Sequence, residues 1–308
     1  MRPMRIVLAA QNGEWHRAEL HGAFRSFGVE PELVSLADIS VETGDGEPLR
    51  VPGFSGTLPD GLFLRTISGG TFEATTMRLG VLHALVAAGV TVWNAPVAIE
   101  RCVDKAMTSL LLARAGLPTP ETFVVSSREA AGRIVAREAG MGAPLVLKPL
   151  FGSQGEGLRL VVTPEDLPPE EDVARVYYLQ RFVQPRRTVW RDYRVLVCAG
   201  RPVAGMVREG DTWITNVHQG GRPLPWNVPP DAADLAVEAA RAVAVDYAGI
   251  DLIDDGEGGF LVLEVNSMPA WSGLQRVTSM PIAEVLVGSF LDAVRAARPS
   301  LRVVASHS

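Results

Sequence analysis

The sequence predicts a mixed α/β and α+β fold. Strand-like and helix-like segments alternate up to about residue 95, which is typical of a parallel sheet with crossover helices. Beyond that point short apolar runs become dense, and residues 248–269 have the pattern of a hairpin. A chain of 308 residues with 47% hydrophobic residues can bury the cores of two or three domains.

Residues 1–95 are expected to form an N-terminal α/β domain. Gly28 and Gly89 follow its two predicted helices, and the Gly- and Pro-rich segment 43–59 predicts a loop. Arg65 ends an apolar strand at the edge where α/β domains bind ligands, so it is either a clamp for a substrate carboxylate or half of a structural ion pair. The predicted strands are 6–9, 31–36, 61–65 and 90–93, and the helices are 14–27 and 72–88.

Residues 96–183 predict a smaller α+β lobe, and residues 184–308 predict a larger lobe with a terminal helix. Asp231 is expected to cap a helix, and Pro281 to lie in the first turn of the last one. The predicted helices are 101–115, 128–139, 232–247 and 281–297, and the strands are 121–125, 144–149, 158–162, 176–182, 193–198 and 203–208.

The hairpin carries isolated acids inside apolar strands. Its strands, 250–253 and 260–265, flank a Gly-rich turn and place Asp251 on one side and Glu264 on the other. Asn266 follows Glu264 by two residues, so the pleat returns it to the same face. Two carboxylates and an amide oxygen suit Mg²⁺ shared with nucleotide phosphates. A solvated face, or a carboxylate paired with a distant Arg, is the alternative.

A second motif places Lys148 at the end of an apolar strand, before a loop with Gly152, Gly155 and Gly157. Glycines allow backbone N–H groups to approach phosphate oxygens, and a nearby lysine neutralises charge. The motif is neither a P-loop nor a dinucleotide fingerprint. An ordinary hairpin is the alternative for this loop alone, but the acidic hairpin downstream favours phosphate binding.

Composition excludes several classes of protein. A net charge of −6 argues against a general nucleic-acid or membrane-surface binder, which would need a basic face. Cys102 and Cys198 have no metal or redox spacing, which indicates a reducing compartment. The apolar part of the N-terminus is too short for a signal peptide, and the uncharged run 79–99 contains breaks that disfavour a membrane span. We therefore expect a cytoplasmic protein.

Taken in order, the motifs resemble those of ATP-grasp ligases, and in particular of RimK-like glutamate ligases. Each motif is modest, but the ordered set is specific and extends over most of the chain. In this family ATP lies between two α+β lobes, and an N-terminal domain helps to hold the other substrates. The motifs are Asn94-Ala95-Pro96, Asp104-Lys105, 115–120, the Lys148 strand with its glycine loop, 179–183, 192–194, 216–221 and the hairpin.

The resemblance implies a role for each matching residue. Asp192 would bind the ribose, Arg194 would face the transferred phosphoryl group and the second substrate, and Asn216 would lie beside the phosphates. The phosphate-binding set would be Lys105, Lys148, Gly152, Ser153, Gly155 and Gly157. The hinge strand holding adenine would be Gln180, Arg181, Phe182 and Val183. The metal ligands would be Asp251, Glu264 and Asn266, for Mg²⁺ or alternatively Mn²⁺.

Two positions depart from the family pattern. Arg181 stands where many members have an acid, and Ile214 stands where the protein that names the family has an arginine. The second change marks a different acceptor or a lost contact. Taken one at a time, Lys105 and Arg194 could instead be surface charges. Asp192 could instead be a turn residue or a helix cap.

The resemblance implies an ATP-dependent ligase that forms an amide through an acyl phosphate. The expected partners are glutamate and a small carboxylated cofactor of the pterin or furan type, and a homo-oligomer is left open. A ligase acting on protein C-termini, a kinase-like ATP-grasp enzyme and a non-catalytic ATP-binding module are the alternatives. The predicted acceptor surface, with a solvated turn as its alternative, comprises Arg186, Arg187, Trp190, Arg191, Trp213, Arg222 and Trp226.

Overall fold

The structure is a computed structural model that describes residues 2–11, 13–152, 155–184 and 189–298. The described residues divide into two compact units. Residues 2–96 and 281–298 form the first unit, and residues 97–280 form the second. No helix among the described residues is both long enough and apolar enough to cross a membrane.

Strands and helices follow one another along the chain as listed here. The strands are β1 (Ile6–Ala9), β2 (Glu32–Val34), β3 (Ser40–Val41), β4 (Leu49–Arg50), β5 (Gly61–Leu64), β6 (Thr91–Trp93), β7 (Thr122–Val125), β8 (Leu145–Lys148), β9 (Arg159–Val161), β10 (Tyr177–Arg181), β11 (Trp190–Cys198), β12 (Arg201–Gly210), β13 (Arg222–Pro225), β14 (Tyr247–Asp254) and β15 (Phe260–Asn266). The helices are α1 (Trp15–Ser26), α2 (Phe72–Ala87), α3 (Pro96–Val103), α4 (Lys105–Arg114), α5 (Arg128–Gly140), α6 (Pro230–Val243), α7 (Ser272–Gln275) and α8 (Ile282–Ala297).

The first unit contains the predicted parallel sheet, with strand order β2-β1-β5-β6. Its core includes Phe24, Phe63 and Phe290, whose rings meet edge to face. Phe290 belongs to α8, which the sequence analysis assigned to the last lobe. The helix packs here because its apolar side chains recur every four residues, from Ile282 to Val294, and form one buried face.

The second unit contains two antiparallel sheets. The smaller sheet has the order β7-β10-β8-β9 and packs against α5. The larger sheet has the order β13-β12-β11-β14-β15 and packs against α4 and α6. This pair of sheets confirms the predicted α+β architecture and supplies opposite walls of the site described below.

The predicted helix at 101–115 is wrong in its boundaries. Asp104 has an extended backbone, and its carboxylate accepts hydrogen bonds from the backbone N–H groups of Ala106 and Met107. An N-cap of this kind starts a new helix, so α3 ends at Val103 and α4 begins at Lys105.

Three further boundaries differ from the sequence prediction. Segment 43–59 is not all loop, since it contains β4, which pairs with β3. Asp231 lies in the first turn of α6 rather than at its cap, because the helix begins at Pro230. The same helix ends at Val243 rather than at residue 247. Ala244 has a left-handed backbone conformation that stops the helix, and β14 begins at Tyr247.

Candidate active site

Both sheets of the second unit line one cavity of about 340 Å³, within the usual range for small-molecule sites. Most of the residues that sequence reasoning selected lie in its wall. Those lining it are Lys105, Lys148, Gly152, Gly155, Gln180, Arg181, Phe182, Val183, Asp192, Asn216, Asp251 and Glu264. Gly157, Arg194 and Asn266 are not in the lining, and Ser153 lies outside the described residues.

The two acids of the hairpin are direct partners across β14 and β15. Asp251 is buried and accepts hydrogen bonds from Arg194, with Nε–Oδ1 at 2.6 Å and Nη2–Oδ2 at 2.7 Å. The amide of Asn266 lies 3.4 Å from Asp251 Oδ2. Burial raises the pKa of Asp251, but Arg194 and then Arg208 outweigh it and hold the pKa at about 2. Asp251 is therefore a fixed anion. The predicted convergence with Glu264 and Asn266 is observed, and so is the alternative, since Asp251 pairs with distant arginines.

Arg208 is a component of the site that sequence reasoning missed. Its side chain is 3% exposed and forms a two-pronged ion pair with Asp192, with Nε–Oδ1 at 2.7 Å. It also reaches Asp251, with Nη2–Oδ2 at 2.9 Å. Arg194 and Arg208 thus neutralise Asp192 and Asp251 in one buried network. A charged residue closing an apolar strand was the available signal.

On the opposite wall, Lys148 ends β8 and donates a hydrogen bond to Oε1 of Gln180 at 2.6 Å. Burial lowers the pKa of Lys148 to about 8, with Lys105 adding to this effect while Glu264 and Asp251 oppose it. Lys105 donates to the backbone carbonyl of Gly152 at 2.8 Å. Its Nζ is also 3.9 Å from Glu264 Oε1. Two ammonium groups therefore face the cavity beside the start of the glycine loop.

The hinge after β10 has an aromatic wall. The Phe182 ring lies 5.9 Å from Trp190 and 5.8 Å from Trp213, measured between centroids. The guanidinium of Arg181 pairs with the buried Glu138, Nε–Oε2 at 2.7 Å, and with Glu121 at 2.6 Å. These pairs hold Arg181 to α5 and to the residue before β7. The two glutamates thus neutralise an arginine at a position where many family members have an acid.

The glycine loop meets the segment after β12 at Gly155. This residue has φ of 76°, and a Cβ there would lie 2.5 Å from Oδ1 of Asn216 and 2.9 Å from Ile214. Only glycine fits both the backbone conformation and the space. Gly155 therefore packs directly against Asn216, at a spacing that a side chain would prevent.

Comparison with known proteins decides the family. The RimK-like ATP-grasp domain family matches residues 102–290 of this chain. The chain belongs to the RimK-like ATP-grasp family. The resemblance inferred from the ordered motifs is therefore confirmed.

Curated members of the family are similar over much of their length. The tetrahydromethanopterin:alpha-L-glutamate ligase of Methanocaldococcus jannaschii is 36% identical over 217 residues, covering 67% of this chain and 72% of the relative. The ligase of the same name from Methanosarcina acetivorans is 30% identical over 299 residues, covering 85% and 90%.

Solved structures confirm the ATP-grasp fold. The ATP-grasp ligase PsnB, complexed with minimal precursor, Mg and ADP, aligns with a TM-score of 0.72 at 22% identity over 94% of this chain and 98% of that chain. A RimK domain ATP-grasp protein from Sphaerobacter thermophilus aligns with a TM-score of 0.66 at 20% identity, over 92% and 98%.

Arg65 lies in the first unit of this RimK-like chain and is 5% exposed. It contacts Glu14, Nη2–Oε1 at 2.7 Å, and His16, Nη2–Nδ1 at 3.2 Å. Burial raises the pKa of Glu14, but the hydrogen bond with His16 and the charge of Arg65 bring it below its usual value. These contacts support the structural ion pair, which the sequence had left as an equal alternative to a substrate clamp.

The predicted acceptor surface does not form one patch among the described residues. Arg191 and Arg222 both pair with Glu209, at 2.6 and 2.7 Å, so their charges are partly neutralised. Trp226 packs against Tyr193 and Phe260 rather than beside Trp213. Arg186 and Arg187 lie outside the described residues.

The chemistry of the donors fits a hard cation. Among the described residues no group of three His, Cys, Asp or Glu side chains could hold a metal by itself. Asp251, Glu264 and Asn266 supply two carboxylates and one amide oxygen. Mg²⁺ in nucleotide enzymes is commonly held by one or two carboxylates together with substrate phosphates, so this set suits a metal that arrives with a nucleotide.

Proposed function

We propose that this chain is an ATP- and Mg²⁺-dependent ligase that adds L-glutamate to a small carboxylated cofactor. The observation that carries the proposal is the cavity of the second unit. Two lysines, a glycine loop and the hairpin acids meet there, in a chain whose relatives are named glutamate ligases. The lysines and the hairpin acids are the kinds of group that bind phosphates and a metal ion in phosphoryl transfer.

Lys148 and Lys105 would bind phosphate oxygens on the small-sheet side of the cavity. The Phe182, Trp190 and Trp213 rings would enclose the nucleobase at the hinge, and Asp192 is assigned to the ribose. Asp251, Glu264 and Asn266 would hold the metal, which when bound neutralises charge on the phosphates; Mn²⁺ is the alternative ion. Arg194, beside Asp251, would face the phosphoryl group in transfer.

The reaction has two steps. An acceptor carboxylate oxygen attacks the γ-phosphorus of ATP, the bond to the β-phosphate oxygen breaks, and ADP leaves an acyl phosphate. The glutamate amine then attacks the acyl carbon, loses a proton, and displaces inorganic phosphate. The protein positions the reactants and stabilises developing negative charge. Gly155, packed against Asn216, would help to exclude water that hydrolyses the intermediate.

Two observations bear on the acceptor. The methanogen relatives are named for tetrahydromethanopterin, which supports a pterin- or furan-type cofactor. The solved PsnB and MdnC structures are complexed with precursor peptides, which supports a peptide as the second candidate. Arg181, held by Glu138 and Glu121, is occupied by the protein and contributes no free charge for a carboxylated tail.

The test measures ADP release and product mass with pterin-type, furan-type and peptide acceptors and a panel of amino acids. We expect release to require both an acceptor and glutamate, and the product to gain one glutamyl mass. Glu264→Gln, at a half-buried position, should remove turnover without altering the melting temperature.

Other outcomes would redirect the proposal. A glutamyl increment on peptide alone would replace the cofactor acceptor, and an increment from another amino acid would replace glutamate. A stable phosphorylated product would indicate a kinase. Full turnover by Glu264→Gln at saturating Mg²⁺ would remove Glu264 from the metal site.

A further inference from the structure

Lysine is almost absent from this chain. The sequence has 27 arginines and two lysines, and the two lysines, Lys105 and Lys148, both line the cavity of the second unit. Everywhere else a positive side chain is arginine. These two positions therefore need a property of the ammonium group that guanidinium lacks, such as its compact shape or its freedom to turn three donors toward different partners.

The contact of Lys148 shows which property matters there. Its Nζ lies 2.6 Å from Oε1 of Gln180, which is 2% exposed and lies on β10, two residues beyond the register partner of Lys148, Tyr178. Among the described residues Lys148 has no ion pair with a carboxylate; its close polar partner is this neutral amide. The Tyr178 ring also lies near, with Nζ 6.0 Å from its centroid. The position of Lys148 is thus fixed by a hydrogen bond to a neutral partner rather than by an ion pair.

The amide of Gln180 can face only one way. An ammonium group only donates, so the amide oxygen must face Lys148. The amide nitrogen then donates to Thr122 Oγ1 at 3.1 Å and to the Tyr178 hydroxyl at 3.3 Å. Thr122 donates its own proton to the carbonyl of Pro120, which leaves its oxygen free to accept.

The chain of contacts continues into α4. The hydroxyl of Tyr178 is 2.7 Å from Oγ of Ser109, so it can donate to serine and accept from Gln180. Every polar atom of the Gln180 side chain therefore has a partner, and the partners come from β7, β8 and β10. A buried network that is fully satisfied has one low-energy arrangement, and Lys148 is its terminal member at the cavity.

We propose that Gln180 is a positioning residue, whose side chain fixes the Lys148 ammonium at the cavity wall so that it meets a nucleotide phosphate. The family resemblance had assigned Gln180 only to the hinge strand that holds adenine. The phosphate part of this inference rests on the proposed function; the positioning part does not.

The scarcity of lysine makes a direct test practical. Full-length protein grown with lysine labelled at Cε and Nζ gives two lysine signals, and Lys105→Arg identifies which belongs to Lys148. Gln180→Met removes the acceptor while keeping an unbranched side chain of similar length. Gln180→Glu keeps an acceptor facing Lys148 but loses the donors to Thr122 and Tyr178. Gln219→Met, in the turn after Asn216, serves as a matched control.

The expected result without nucleotide is a sharp, shifted Lys148 signal in the wild type and in Gln219→Met. In Gln180→Met the signal should move toward the position of free lysine and broaden, and Gln180→Glu should restore its sharpness. A Lys148 signal unchanged by Gln180→Met, in protein with a normal melting transition, would overturn the inference.

Calorimetry with ATP and with adenosine separates this inference from the proposed function. Gln180→Met should weaken ATP binding about tenfold, the size of a hydrogen bond to a charged group, and leave adenosine binding unchanged. Equal weakening of both ligands would show a general packing defect and overturn the positioning role. A displaced Lys148 signal with unchanged ATP affinity would uphold positioning and count against the phosphate role of Lys148.

Discussion

The two walls of the cavity handle charge in opposite ways. On the large sheet, Asp192 and Asp251 are matched by Arg194 and Arg208 within a closed, buried network. On the small sheet, Lys148 rests on the neutral amide of Gln180. The acids of the large sheet are therefore neutralised within the protein. The ammonium of Lys148 is not, and a bound anion would neutralise it.

This difference distinguishes charges that stabilise the fold from a charge that serves ligand binding. A buried ion pair that loses one member leaves an uncompensated charge in the interior, so the large-sheet network is required for stability as well as chemistry. A buried lysine without a carboxylate partner instead costs stability, as its lowered pKa shows. Such a residue is typical of a binding site for anions.

The largest effect is expected from Arg208→Met. It would leave Asp192 and Asp251 with one guanidinium between them, so the free energy of unfolding should fall by about 3–5 kcal/mol, measured in denaturant. Arg222→Met is the matched control, since Arg222 is 69% exposed and pairs with Glu209. Its loss should cost at most about 1 kcal/mol. Equal losses in the two variants would contradict a distinct buried network.

Lys148→Met should affect ATP binding more than the free energy of unfolding. Removing the ammonium relieves its desolvation but leaves Oε1 of Gln180 without its donor, so the two effects oppose each other and we expect the free energy of unfolding to change little. ATP binding should weaken by about 1.5–3 kcal/mol, because a charge-assisted contact is lost. Calorimetry and denaturant titration on the same samples give both values. A variant that is less stable yet binds ATP normally would show that Lys148 is structural.

The smallest effect concerns pH. The pKa of Lys148 is about 8, below its ordinary value because of burial, so the ammonium is charged below pH 8 and loses its proton above it. ATP affinity should therefore begin to decline as pH rises past about 8. Lys148→Met should lack this decline. An identical pH profile in the wild type and the variant would assign the decline to another group.

Sequence reasoning found the residues of the site because they follow short, ordered motifs. Asp251, Glu264 and Asn266 were expected on one face from the two-residue period of strands alone. β14 and β15 pair Asp251 with Glu264, and the amide of Asn266 reaches Asp251 from the next position on that face. Lys148 and its glycine loop were likewise recognised from the change of apolar strand to flexible loop. Local periodicity was sufficient for these residues.

Arg208 was missed because register depends on more than local pattern. The turn at Ala199-Gly200 would pair Asp192 with Val207, but a bulge between Leu196 and Val197 shifts the strands by one residue and brings Arg208 opposite. Tertiary packing likewise determined which unit contains α8. The helix follows the second unit in sequence, but its apolar face packs in the first. Arg65 was left ambiguous because its partner Glu14 lies 51 residues away along the chain.

The near-absence of lysine also bears on self-inactivation. Acyl phosphates of the kind proposed react readily with neutral side-chain amines and would mark any protein that carries them on its surface. Guanidinium groups remain protonated and do not react in this way. The 27 arginines therefore give an escaping intermediate no side-chain amine to modify outside the cavity. Inside it, both lysines are held by hydrogen bonds, Lys148 to the amide oxygen of Gln180 and Lys105 to the carbonyl of Gly152.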